Sequence, residues 1–212
     1  MIAVVAALTW DTFFSITKNK IIHGGAALFM AGGLMLPLSF CVTNHPNEYV
    51  YFNQHIGGIK GAYGNFDTDY YQNSIKQACV WAHENIKPVD GKKIIIATNT
   101  ADPVSWSFKN DTAHFKIIYT RYYGRTEKKW DYGIFYSRPI DRTQLLNKSW
   151  PGSNTIYSVT AGGVPLCNIV HRTNTDDFAA KDSMQAGKFI AAVHLYKNAL
   201  AADNSNEEIC TK

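Results

Sequence analysis

Formal charge is missing from one long stretch of this 212-residue chain: between Ile21 and Val42 there is no Asp, Glu, Lys or Arg. Metal-type cysteine spacing is missing too. Cys41, Cys79, Cys167 and Cys210 lie far apart, with no Cys-x-x-Cys pair and no Cys/His grouping, which excludes a zinc-knuckle framework. His83-Glu84 lacks the second histidine of a zinc-protease helix, and no nucleophile elbow surrounds any serine. A concentrated basic face is absent as well. From Asn44 onward 19 Lys+Arg stand against 16 Asp+Glu, an excess too small and too dispersed to imply a nucleic-acid partner. No cofactor and no metal is expected.

The uncharged run is the strongest feature present. Its 22 residues would make a helix of about 33 Å, enough for a bilayer core of about 30 Å. Gly24, Gly25, Gly32, Gly33 and Pro37 are more acceptable in lipid than in a soluble helix. A buried helix of a soluble protein is one alternative, but such helices are seldom uncharged on every face for six turns. A cleaved signal peptide is another, with Leu38-Ser39-Phe40-Cys41 as its processing box; there Phe40 stands where a small residue belongs. Before the run, Met1 to Ile16 reads as a second apolar helix, too short to span and interrupted by Asp11. Lys18 and Lys20 would mark the cytoplasmic side, so the positive-inside bias predicts an inner-membrane protein whose bulk is extracytoplasmic or periplasmic.

The expected fold class is α/β, in three parts: transmembrane segment or segments over 1–43, a three-layer α/β domain over 44–172, and a helical hairpin over 173–212. Tyr70 to Ile86 reads as an amphipathic helix, with Ile75, Ala78, Cys79, Ala82 and Ile86 at helical spacing. Lys93 to Thr98, His114 to Thr120 and Asp131 to Tyr136 read as strands, with a short helix over Ala101 to Phe108. Thr155 to Thr160 and Val164 to Val170 flank Ala161-Gly162-Gly163 and predict a terminal β-hairpin. Beyond Asp176 the pattern turns helical, broken at Gly187 and stopped by Asp203-Asn204-Ser205-Asn206. Cys79 and Cys167 fall inside the domain, as buried free thiols or, in an oxidising compartment, as a disulfide.

Two segments carry a resemblance. His45-Pro46-x-x-Tyr49-x-Tyr51-Phe52-Asn53, then Gly57-Gly58, Gly61-Ala62 and Asp69-Tyr70, resembles the segment after the last membrane helix in bacterial polytopic glycosyltransferases related to protein mannosyltransferases and aminoarabinose transferases. Trp130-Asp131-Tyr132-Gly133 and Gly163-Val164-Pro165-Leu166 resemble later parts of the same domain. Separately, Gly187, Phe189, Ala192, Tyr196 and Ala199-Leu200 resemble the second helix of a tetratricopeptide repeat, although Asp176, Ala180 and Ser183 depart from its first. The resemblance implies a polyprenyl-phosphate-linked sugar donor and a catalytic Asp on an early extracytoplasmic loop. No residue here matches that loop, so the chain is expected to be a distal, accessory portion carrying no catalytic residue.

Two motifs invite a chemical reading. Asp67-Thr68-Asp69 has the form that holds a divalent cation in some transferases, yet Asp69 also stands where it would cap the helix that follows. Arg121, Tyr123, Arg125, Lys128 and Trp130 are the candidate binding set, because guanidinium groups hold phosphate and aromatic faces stack on sugars; a solvated loop facing headgroups explains the same residues. His45, Pro46, Tyr49, Tyr51, Asn53, Gly57, Gly58, Asp69 and Tyr70 are expected to form a structural collar. The partners expected are the lipid bilayer, a lipid-linked sugar or glycan, and a protein bound by the helical hairpin. A membrane-tethered scaffolding module without enzymatic activity is the alternative.

Overall fold

The computed structural model describes residues 2–17, 19–88 and 91–203; Lys18, Asn204 to Asn206 and Cys210, which enter the sequence reading, lie outside the described residues. The chain forms two compact units, 1–48 and 49–212.

The first unit holds α1 (Ile2–Ile16) and α2 (Lys20–Thr43). Asn19 starts α2 by accepting the Ile21 amide at 2.9 Å, and the Phe14 ring meets His23 at 4.5 Å. No residue of α2 is buried. Its 24 residues give about 36 Å of apolar helix. That length and composition suffice to cross a membrane, and a signal sequence shares them.

The second unit begins with α3 (Gly58–Ala62) and α4 (Asn73–Asn85). Then come β1 (Ile94–Thr98), α5 (Ala101–Ser107), β2 (Phe115–Tyr119), β3 (Tyr132–Tyr136), α6 (Arg142–Leu146), β4 (Thr155–Ala161) and β5 (Val164–His171). It closes with α7 (Asp176–Gln185) and α8 (Phe189–Ala202). The five strands form one mixed sheet in the order β2-β1-β3-β5-β4. β2, β1 and β3 run parallel; β5 and β4 are antiparallel, as the hairpin pattern predicts.

Alternation along the strands divides the core. Ile94, Ile96, Ile134, Cys167 and Ile169 face α4 and α5, where Ile75, Ala78, Cys79, Ala82 and Val104 meet them. Ala97, Phe135 and Val170 face the opposite side, which Tyr122, Trp130, Ile140, Leu145 and Trp150 cover. This second layer is irregular chain and short helix, where the three-layer rhythm implies a helical layer. Its large aromatic side chains supply the apolar area that a helix stripe would otherwise provide. α7 and α8 pair through Ala180, Ala192, Tyr196 and Ala199, and Gly187 makes the turn at φ +72°.

The glycine-rich segment after Tyr49 is more regular than its composition suggests. α3 lays its backbone directly on the preceding turn: a Cβ at Gly61 would stand 1.7 Å from the Ile56 carbonyl oxygen. Backbone cannot give way as a side-chain tip can, so Gly61→Ala should destabilise by about 2–3 kcal/mol. Gly124→Ala, which would meet only the Glu127 side chain at 3.5 Å, should be near neutral. Urea unfolding followed by circular dichroism measures both.

Candidate functional site at the carboxyl ends of the parallel strands

From β1 the chain crosses to β2 through α5, packed on one face; from β2 it crosses to β3 through Tyr122 and Trp130, packed on the other. The connection that leaves β3 runs through Ile140 and Leu145 on that second face, so the chain departs to opposite faces from the carboxyl ends of the neighbouring strands β1 and β3, the point where open α/β sheets offer a crevice. Here the crevice is closed by its own side chains. Asn99 donates to the Tyr136 carbonyl at 3.1 Å and accepts the Tyr136 amide at 3.2 Å, extending the ladder by one side-chain rung. Gln72, at φ +60°, donates to the Tyr136 hydroxyl at 3.2 Å and accepts from Thr100 at 3.3 Å.

Beside this network lies Asp69, wholly buried. Its carboxylate accepts hydrogen bonds from the Tyr49 and Ser74 hydroxyls and from the backbone at the start of α4. The expected capping role thus reaches the helix from Asp69, although α4 begins at Asn73 rather than near Tyr70. Asp67 goes elsewhere: it accepts from Arg138 at 3.1 Å on the surface. The two carboxylates of the Asp-x-Asp triplet have separate partners, and among the described residues no three His, Cys, Asp or Glu gather as a metal cluster.

The residues of the resemblance motif within the second unit converge on this end. Tyr49 meets Tyr71 edge-on at 5.6 Å, Tyr71 meets Tyr70 at 5.3 Å, and the Arg138 guanidinium covers the Tyr70 ring at 4.4 Å. Tyr51 is half-buried, and the Asn53 carbonyl accepts the Gly58 amide at 3.0 Å next to Gly57 at φ +82°. His45 and Pro46 belong to the first unit, where the His45 ring pairs with Glu48.

The candidate binding set does not form one cluster. Arg121 is exposed, Tyr123 donates to the Pro139 carbonyl at 3.1 Å, and Lys128 reaches the Tyr119 carbonyl at 2.8 Å. Arg125 and Trp130 turn inward. Arg125 binds Asp203 through two donors at 3.1 Å and stacks over Tyr122; the Trp130 indole donates to the Arg125 carbonyl at 2.7 Å. Arg172, which no motif singled out, completes the group: it stacks on Trp130 and Phe178 and pairs with Asp177 where both are buried. These contacts fasten the α7–α8 hairpin to the sheet. An isolated arginine among polar residues carries no signal of such a role, because its partners lie five residues ahead and more than forty behind.

Two predictions follow from these charges. Removing one member of a buried ion pair strands the other, so Arg172→Met should cost about 3–5 kcal/mol and expose α7 and α8 to limited proteolysis before the sheet. Burial, working against hydrogen bonds from Ser74 and Tyr49, holds the Asp69 carboxyl above its ordinary range. The native state then binds that proton more tightly than the unfolded chain does. The resulting stability is complete below the unfolded value of about 3.9 and is lost as pH rises through the folded value. Asp69→Asn, which does not titrate, should therefore gain on the parent as pH rises through that window in urea midpoints; a constant difference at every pH would count against it. No family model matches the chain, and no curated protein or solved structure matches it either, so the chemistry of these residues is what bears on function.

Proposed function

We propose that this chain is a membrane-anchored accessory portion of a glycosyltransferase that draws sugar from a polyprenyl-phosphate donor. In this reading α2 crosses the inner membrane and the α/β unit stands on the extracytoplasmic side. The unit positions donor or acceptor while another part of the machinery performs transfer. One observation supports it above the others: Tyr49, Asp69 and Tyr70, which carry the resemblance, converge where the chain begins the α/β unit, and the carboxylate among them is sealed from solvent. A carboxylate without access to water or ligand suits a structural socket and not an acid or base.

A second reading, a tethered scaffolding module without enzymatic activity, rests on α8. Phe189, Ile190 and Val193 are exposed there, and Phe189 and Val193, with Met184 and Tyr196, border a groove of about 410 Å³ that a tetratricopeptide-like hairpin would offer to a protein. Consumption of labelled polyprenyl-phosphate sugar by membranes from a deletion strain separates the two. Under the accessory reading, transfer falls in the deletion strain and returns with the parent chain and with Phe189→Asp/Val193→Asp. Failure of that double variant to restore transfer, although it is folded and present in the membrane, favours the scaffolding module. Sugar release by the purified chain alone in vesicles would overturn both.

A further inference from the structure

Beyond the carboxyl-end network the second unit exposes aromatic and apolar side chains bordered by arginine. Tyr71 is 73% exposed, Phe66 57% and Tyr70 54%, although each has the area to serve as core. They are linked in space and not only in sequence. Phe66 meets Phe52 at 6.0 Å with the rings tilted, and Tyr70 lies under Arg138. Arg142 reaches from α6 to the Gly64 carbonyl at 3.0 Å and the Asn65 side chain at 2.8 Å, while exposed Leu146 packs over Gly64. Exposed apolar patches of this kind on a soluble surface mark a docking site.

We infer that this face, formed by Phe66, Tyr70, Tyr71 and Leu146 with Arg138 and Arg142, rests on the phosphate-bearing headgroup layer of a lipid bilayer. The inference rests on the membrane-anchor reading above and adds a second, independent contact to it. Tyrosine and phenylalanine place an apolar ring below a polar boundary, which is the partition a headgroup layer requires. The two guanidinium groups complement lipid phosphate by paired hydrogen bonds, and anionic headgroups attract them further. Asp67 and Asp141 are the carboxylates beside them; Asp67 pairs with Arg138, and Asp141 caps α6 by accepting the Thr143 amide. Tyr49, the first residue of this unit, packs against Tyr71, and the apolar α2 ends six residues earlier in the sequence. The polypeptide thus begins the unit at the face that carries the exposed rings.

The test uses the full chain, with Cys41→Ala and Cys210→Ser, reconstituted in vesicles of phosphatidylcholine and phosphatidylglycerol. An environment-sensitive fluorophore is attached at Tyr71→Cys, at Phe66→Cys, or at Asn110→Cys near the amino end of β2; Cys79 and Cys167 are buried and remain unlabelled. Tyr71 and Phe66 probes should shift to shorter wavelength and lose intensity when headgroup spin-labelled lipid is included, and Asn110 should do neither. Arg138→Gln/Arg142→Gln should diminish the loss. If the chain resists alkaline carbonate yet both face probes behave like Asn110, the inference is overturned while the anchor stands. Extraction by carbonate from vesicles in which the face probes had been quenched would uphold the face and remove the anchor. A response to soluble oligosaccharide, with none to spin-labelled lipid, assigns the face to glycan and overturns the inference.

Discussion

Around the Asp69 carboxylate three separate parts of the chain are brought together: Tyr49 at the start of the α/β unit, Ser74 in the first turn of α4, and the sheet end where Cys167 senses its charge. A buried carboxylate is tolerable only where donors surround it, because each unmatched acceptor would retain its desolvation cost. Satisfying this one group therefore sets where the chain begins the unit, where α4 starts and how α4 meets β5. The exposed rings of Tyr70 and Tyr71 follow from the same constraint, since their neighbour is turned inward and they are turned out.

The irregular face of the sheet has a different solution to the same accounting. Among the described residues no long helix covers it; Trp130, Phe135, Tyr122 and Trp150 fill the space, and Arg172 closes the edge by stacking on Trp130. Guanidinium is suited to this position because it is flat and weakly hydrated, stacking through its face while its rim donates to Asp177 and to backbone carbonyls. The α7–α8 hairpin, whose apolar cluster joins its own two helices, is thereby held to the sheet by charge and stacking.

Much of this was legible in the sequence because periodicity is local. The parallel strands, α4, the β4–β5 hairpin and α7–α8 each carry their own alternation or 3.6-residue spacing, and their boundaries differ from expectation by a residue or two, or by three where α4 starts. α3 and α6 went unrecognised, since five residues are too few for a period to register and Gly58 and Gly61 argue locally against helix. The partition of the candidate site was hidden for another reason. Arg125 and Lys128 look alike in a basic stretch, and only Asp203, 78 residues away, distinguishes the buried one from the exposed one. Asp67 and Asp69 are separated by the same kind of distant choice.

Cys79 on α4 and Cys167 on β5 occupy one core as free thiols. Burial pushes the Cys79 thiol up to about 11, and burial together with the nearby Asp69 charge pushes Cys167 well above its ordinary value. Neither sulfur presents a thiolate at neutral pH, and neither is within reach of an oxidant while α4 lies on the sheet. Alkylation of these two sulfurs consequently proceeds only as fast as helix and sheet part, which makes their reaction rate an internal clock for the opening of this one layer.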